Sequence, residues 1–183
     1  MATAKGKFNL AESGTMIQAQ DIIEKLNLKP LPQEGGFFHE TYRSSHMLAP
    51  ASLDHRYPGP RSVCTAIYYL ITQETFSALH RITGDEIFHF YCGDPVEMFQ
   101  MDSSGTLTLQ TMGNRVMEGE IPQVIVPGGF WQGLRLKPGG SWALMGTTVA
   151  PGFEFEDFEV GDRQTLAAAY PQHRQQITHF TYD

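Results

Sequence analysis

The chain has 183 residues, a formal charge of −7, and 41% hydrophobic and 11% aromatic residues. That length suits one domain with a substantial core and is short for two, and the composition excludes an intrinsically disordered chain. No run of Lys or Arg interrupts the acidic balance, which argues against a nucleic-acid polymer or an anionic membrane surface as partner; a small anionic ligand needs only one or two local arginines.

Residues 1–14 read as a flexible leader and residues 15–183 as a single domain. No apolar run is long enough for a signal peptide or a membrane span, so the expected compartment is the cytoplasm, with no membrane partner. Thr15 followed by Gln18 predicts a capped helix running to about Leu26. Its apolar residues Met16, Ala19, Ile22, Ile23 and Leu26 recur at helical spacing, so one face should lie on a sheet.

A turn-rich segment, Leu28–Gly36, leads into FFHETYRSS, where Phe38, Glu40 and Tyr42 alternate with Phe37, His39, Thr41 and Arg43. Residues 44–60 carry Pro50, Pro58 and Pro60 and read as a surface loop. SVCTAIYYLIT has almost no polar relief, as in a strand covered on both faces. The two cysteines, Cys64 and Cys92, sit inside strand-like runs, where free Cys behaves as a small hydrophobe; they make no disulfide framework.

Residues 76–93 are the most informative stretch. They read as two strands joined at Thr83-Gly84-Asp85. Phe76, Ala78, His80 and Ile82 share a face of the first, and Glu86, Phe88 and Phe90 share a face of the second, opposite Ile87, His89 and Tyr91. A hairpin with His80 and Glu86 both inward places an imidazole and a carboxylate in a mostly apolar cavity. That is costly unless they meet each other, a metal or a ligand. The plainer alternative is a satisfied core His–Glu pair without chemistry.

VEMFQM, a Ser-Ser-Gly turn and TLTLQTM follow, then GEIPQVIVPGGFWQGLRL, broken at Pro127-Gly128-Gly129. After a KPGGS turn come WALMGTTV and PGFEFEDFEV. The latter reads as a last alternating strand, with Phe153 and Phe155 on one face and Glu154, Glu156 and Phe158 on the other. Asp162 should cap a helix through Tyr170, and Pro171 should open a final helical turn. About eight to eleven short strands between terminal helices predict an all-β antiparallel barrel or double-sheet jelly roll.

The two central stretches resemble the paired motifs of the cupin superfamily. His80, Glu86 and Gly93 match the first histidine, the glutamate and the glycine of the first motif, while Ile82 stands where its second histidine should be. Pro127, Gly128 and Gly129 match the second motif, with Gln132 in the histidine position. The stretches PQEGGFFHETYRS, TAIYYLI, HRITGDEIFHFYCGDPVEM, VIVPGGFWQ and VAPGFEFEDFE resemble, in order, the branch designated a domain of unknown function, DUF985. The resemblance implies a cupin-type double-stranded β-helix, the jelly-roll barrel shared with the sugar-nucleotide epimerases, with short helices at both termini. It leaves activity open, since fold does not carry function.

Cupin metal sites use three histidines and a carboxylate. His80 and Glu86 remain as strong donors here and Gln132 as a weak one, so no cofactor is expected, and any divalent metal at His80, Glu86 and Gln132 would be held weakly. Two functions follow from these residues. In the first, a small polar molecule, for which a nucleotide or nucleotide sugar suits the side chains, binds in the barrel. Phe38, Tyr42, Phe88, Phe90 and Trp131 would stack a ring, Arg43 would hold a phosphate, and His80, Glu86 and Gln132 would orient the ligand. In the second, a metal-free epimerase-like enzyme uses His80 as base, Glu86 as its orienting carboxylate, and Tyr42 or Tyr69 as acid. The two-sided apolar strand TAIYYLI and Trp131, alternating opposite Gln132, further lead us to expect a homodimer.

Overall fold

The structure, a computed structural model, describes residues 17–182. The first helix, α1, spans Ala19–Lys25, with Gln18 as its N-cap. The Gln18 backbone N–H donates to the Asp21 carboxylate at 2.8 Å, the reciprocal half of a capping box. Thr15, the cap expected from the sequence, and the leader lie outside the described residues.

The strands, in chain order, are β1 (Lys29–Pro30), β2 (Phe37–Arg43), β3 (Met47–Leu48), β4 (Arg61–Ser62), β5 (Thr65–Thr72), β6 (Ser77–Ile82), β7 (Asp85–Gly93), β8 (Val96–Met101), β9 (Leu107–Met112), β10 (Gln123–Val126), β11 (Trp131–Leu136), β12 (Trp142–Ala150) and β13 (Phe158–Val160). Two helices, α2 (Arg163–Ala169) and α3 (Arg174–His179), follow. Asp162 caps α2 by accepting the Thr165 N–H at 2.8 Å.

A six-stranded sheet in the order β1-β2-β5-β12-β7-β10 faces a five-stranded sheet in the order β13-β6-β11-β8-β9. Their strand pairs are antiparallel, and the succession of crossovers between the sheets makes a jelly roll. Alternation fills the space between the sheets from both sides: Tyr69, Phe88, Phe90 and Met145 from the larger meet Val96, Met98, Met112 and Leu134 from the smaller. The odd-phase residues of the smaller sheet, Leu79, Phe99, Met101 and Trp131, form a second cluster beneath α2 and α3 with Leu166, Ile177 and Phe180. Core therefore occupies one end of the barrel and the outside of one sheet, leaving the other end of the interior for a cavity.

Two expectations are corrected. PGFEFEDFEV is not one strand: Phe155–Asp157 is a 3-10 turn, and only Phe158–Val160 extends and pairs with β6. The turn carries Asp157 inward to a buried two-point ion pair with Arg61, both contacts at 2.7 Å, so a tertiary contact overrides the alternation. Trp131 points away from the barrel interior into the helix-covered cluster, so it neither lines a cavity nor adds apolar surface for a partner.

Candidate functional site

A bulge sets the floor of the cavity. His80 on β6 pairs with Gln132 on β11, whereas Ser77 pairs with Leu134, so β6 holds one residue more than β11 between the pairs. Ser77 and His80 thereby face the same interior, which simple alternation from Phe76 would not give. Gln132 alternates inward beside them.

Glu34 completes the floor. The turn from Leu31 to Gly36 closes through Gly35 N–H to the Leu31 carbonyl and Leu31 N–H to the Gly36 carbonyl, each at 3.0 Å, and the Ala78 N–H donates to the Glu34 carbonyl at 2.8 Å. Gly35 and Gly36 have φ of +98° and +70°, and a Cβ on Gly35 would stand 2.4 Å from the Phe76 carbonyl oxygen. Only glycine tolerates both demands. So held, Glu34 accepts the Ser77 hydroxyl at 2.8 Å and turns its other oxygen to His80 Nε2 at 3.8 Å.

His80 is buried and stacks on Phe158, with ring centroids 5.2 Å apart. Its Nδ1 lies 2.8 Å from the Ala78 carbonyl, which only accepts, so Nδ1 carries the proton and Nε2 faces the interior. Glu86, also buried, accepts from Gln132 Nε2 at 2.7 Å with the Thr147 hydroxyl beside it. Burial pushes its carboxyl above the ordinary value, and nearby Glu34 adds to this; His80 opposes it. The other end of the same amide, Gln132 Oε1, is buried without a partner.

Above this floor lies a cavity of about 100 Å³. At about 10–15 Å³ per water, that is room for several waters or one small molecule. Leu31, Phe38, Ile67, Ile82, Val149 and Phe158 wall it, and Phe153, Phe155 and the Arg43 clasp form its rim. Arg43 donates to both Glu40 oxygens, to Glu154 at 2.6 Å and to the Phe153 carbonyl at 3.1 Å, tying β2 to the segment after β12.

His80, Glu86, Phe38 and Arg43, singled out in the sequence, all line this cavity, and Gln132 touches it through Glu86. Tyr42 does not: a bulge in β2 lets Glu40 pair with Ile67 but Tyr42 with Ala66, which turns Tyr42 outward, 53% exposed, and brings Arg43 in. Tyr69, Phe88 and Phe90 belong to the packed core, and the Tyr69 hydroxyl is committed to the Gly35 carbonyl at 3.0 Å. The expected pairing of Glu86 with His80 as its orienting group is also corrected. Ala78 O orients the ring, and the carboxylate facing Nε2 is that of Glu34. Sequence reasoning missed Glu34, Thr147, Glu154 and Phe158. The one available signal was a lone carboxylate in the Pro- and Gly-rich segment before β2.

The donor set does not fit a transition metal of the cupin kind. Among the described residues no three His, Cys, Asp or Glu side chains gather as ligands. Gln132 presents its amide nitrogen, not its oxygen, to Glu86, and the second histidine position is Ile82.

Residues 20–161 match the family model described as Cupin superfamily (DUF985). A solved protein from Shewanella oneidensis is 32% identical, with a TM-score of 0.81, over 91% of this chain and 99% of its own. A hypothetical protein from Leishmania major is 30% identical, with a TM-score of 0.83, over 91% and 100%. A cupin 2 conserved barrel domain protein from Rhodopseudomonas palustris, 12% identical with a TM-score of 0.54 over 84% and 88%, shares the fold. Among curated proteins none matches. No helix of the described residues is long and apolar enough to cross a membrane.

Proposed function

This chain belongs to the DUF985 family of the cupin superfamily, and on that premise we propose that it binds a small polar molecule in its barrel cavity, oriented by His80, Glu34, Glu86 and Gln132. One observation carries the reading. A buried imidazole and two carboxylates converge on a space large enough for a ligand, and behind Glu86 lies an amide with an unpartnered oxygen. Burying such groups costs free energy unless something in that space completes their hydrogen bonds.

The finer reading, a nucleotide or nucleotide sugar, draws support from the aromatic side chains at the mouth. It is weakened by Arg43, whose guanidinium is already engaged by two carboxylates and a carbonyl. The epimerase-like reading has a base in His80 but lacks an acid, since Tyr42 faces out and Tyr69 is bonded within the core. Binding without turnover is therefore the function the geometry supports best. The protein is metal-free in this reading.

Native mass spectrometry of protein purified without chelator tests both points. A small-molecule adduct, or stabilisation in a thermal-shift panel of nucleotides and sugar nucleotides without product formation, supports the binder. Product in the same mixtures moves the reading to the enzyme. A transition metal at one per chain would overturn the metal-free assignment.

A further inference from the structure

We infer that the barrel cavity takes a small organic cation, a protonated amine on a short apolar body. The inference rests on the reading that the cavity binds, and names the ligand class. Four carboxylates line the cavity, those of Glu34, Glu40, Glu86 and Glu154, against one guanidinium, that of Arg43. Arg43 is matched by Glu40 and Glu154 at the rim. The floor is left with Glu34 and Glu86 facing the single imidazole of His80. Even a charged imidazole leaves one buried carboxylate without a counter-charge, and buried charges persist only when paired.

Gln132 supplies an independent observation. It is 1% exposed, its Nε2 is engaged by Glu86, and its Oε1 has no donor. The network that ends in Glu86 at the cavity is thus short of a hydrogen-bond donor as well as of positive charge. An ammonium group supplies three N–H donors, no acceptor and one positive charge. A hydroxyl supplies one donor and no charge, and a carboxylate or phosphate adds acceptors to a site already rich in them. The walls of Leu31, Phe38, Ile67, Ile82 and Val149 then suit an alkyl or ring body rather than a second charge.

The test is calorimetric titration of the full chain at neutral pH with n-pentylamine, 1-pentanol, pentanoate and UDP-glucose. Pentylamine should bind at least tenfold more tightly than pentanol, with pentanoate and UDP-glucose weaker still. Glu34→Gln should lower the amine affinity at least tenfold more than it lowers the pentanol affinity; Glu86→Gln gives the same comparison should the first variant fail to fold. Pentanol equal to pentylamine, as would follow from a proton on Glu86 supplying the missing charge, overturns the cationic assignment and leaves cavity binding standing. Tighter pentanoate or UDP-glucose does the same. Silence from all four probes overturns both.

Discussion

Glu86 is where stability and binding oppose each other. Its carboxyl is raised chiefly by burial, so the folded state holds that proton more tightly than the unfolded chain does. The sign follows directly. The favourable contribution is complete below the ordinary value of 4.5 and is lost as pH rises through the higher folded value. Glu86→Gln removes that loss, keeps an acceptor for Gln132 Nε2, and offers a donor to the unpartnered Oε1. We expect it to stabilise the protein at neutral pH by about 1 kcal/mol, or about 2–4 °C in melting temperature, and to flatten the loss of stability above pH 4.5. Urea melts at several pH values check this; a destabilised variant with an unchanged pH profile would contradict it. His80, Glu86 and Gln132 were legible because each lies on a strand whose local phase points inward. Tyr42 was misread because the β2 bulge reverses alternation between Glu40 and Tyr42, and a bulge leaves no period-two signature. Glu34 was illegible for a different reason. It sits in a turn, and a turn has no periodicity from which to read a direction.

The rim is built from elements that the chain keeps far apart. Arg61 at β4 and Asp157 before β13 are both nearly inaccessible and form a two-point ion pair, while Glu156 reaches Arg61 from the surface at 2.7 Å. This pair anchors the 151–157 segment over the mouth, and the Arg43 clasp secures it from β2. Removing Asp157 takes two charge-assisted hydrogen bonds from the buried Arg61 and leaves it only Glu156, at the surface, as counter-charge. Asp157→Ala should therefore cost about 2–3 kcal/mol, more than the loss of an exposed pair such as Arg81–Glu159. Denaturant melts of Asp157→Ala beside Glu159→Ala measure the difference, and equal effects would show that the segment is not anchored there. The sequence predicted a strand across this segment because Phe and Glu alternate through it. Alternation cannot register a carboxylate that turns inward to meet an arginine 96 residues earlier.

At the scale of the whole molecule, Gly/Pro turns, closely spaced strands and terminal helices pointed to an all-β jelly roll, because each signal is local. What covers each sheet is not local, and there the reading of Trp131 failed: α2 and α3 shield the face it lies on. The homodimer now rests on the outer face of the larger sheet alone, where Tyr91 packs edge-on to Tyr68 and Ile125 is 58% exposed. We propose that this face self-associates; sedimentation velocity at micromolar concentration should give twice the 20.5 kDa chain mass, and a monomer would remove the dimer without touching the site. The central claim, that the barrel interior is a ligand site, is tested most directly by a methyl NMR titration with n-pentylamine. Ile67, Ile82 and Val149 line the cavity, Ile71 and Val124 lie in the packed core, and Ile125 marks the outer face. The account predicts saturable shifts at the first three with the others still; shifts confined to Ile125, or none that saturate with pentylamine or with pentanol, pentanoate and UDP-glucose titrated alongside, would contradict it.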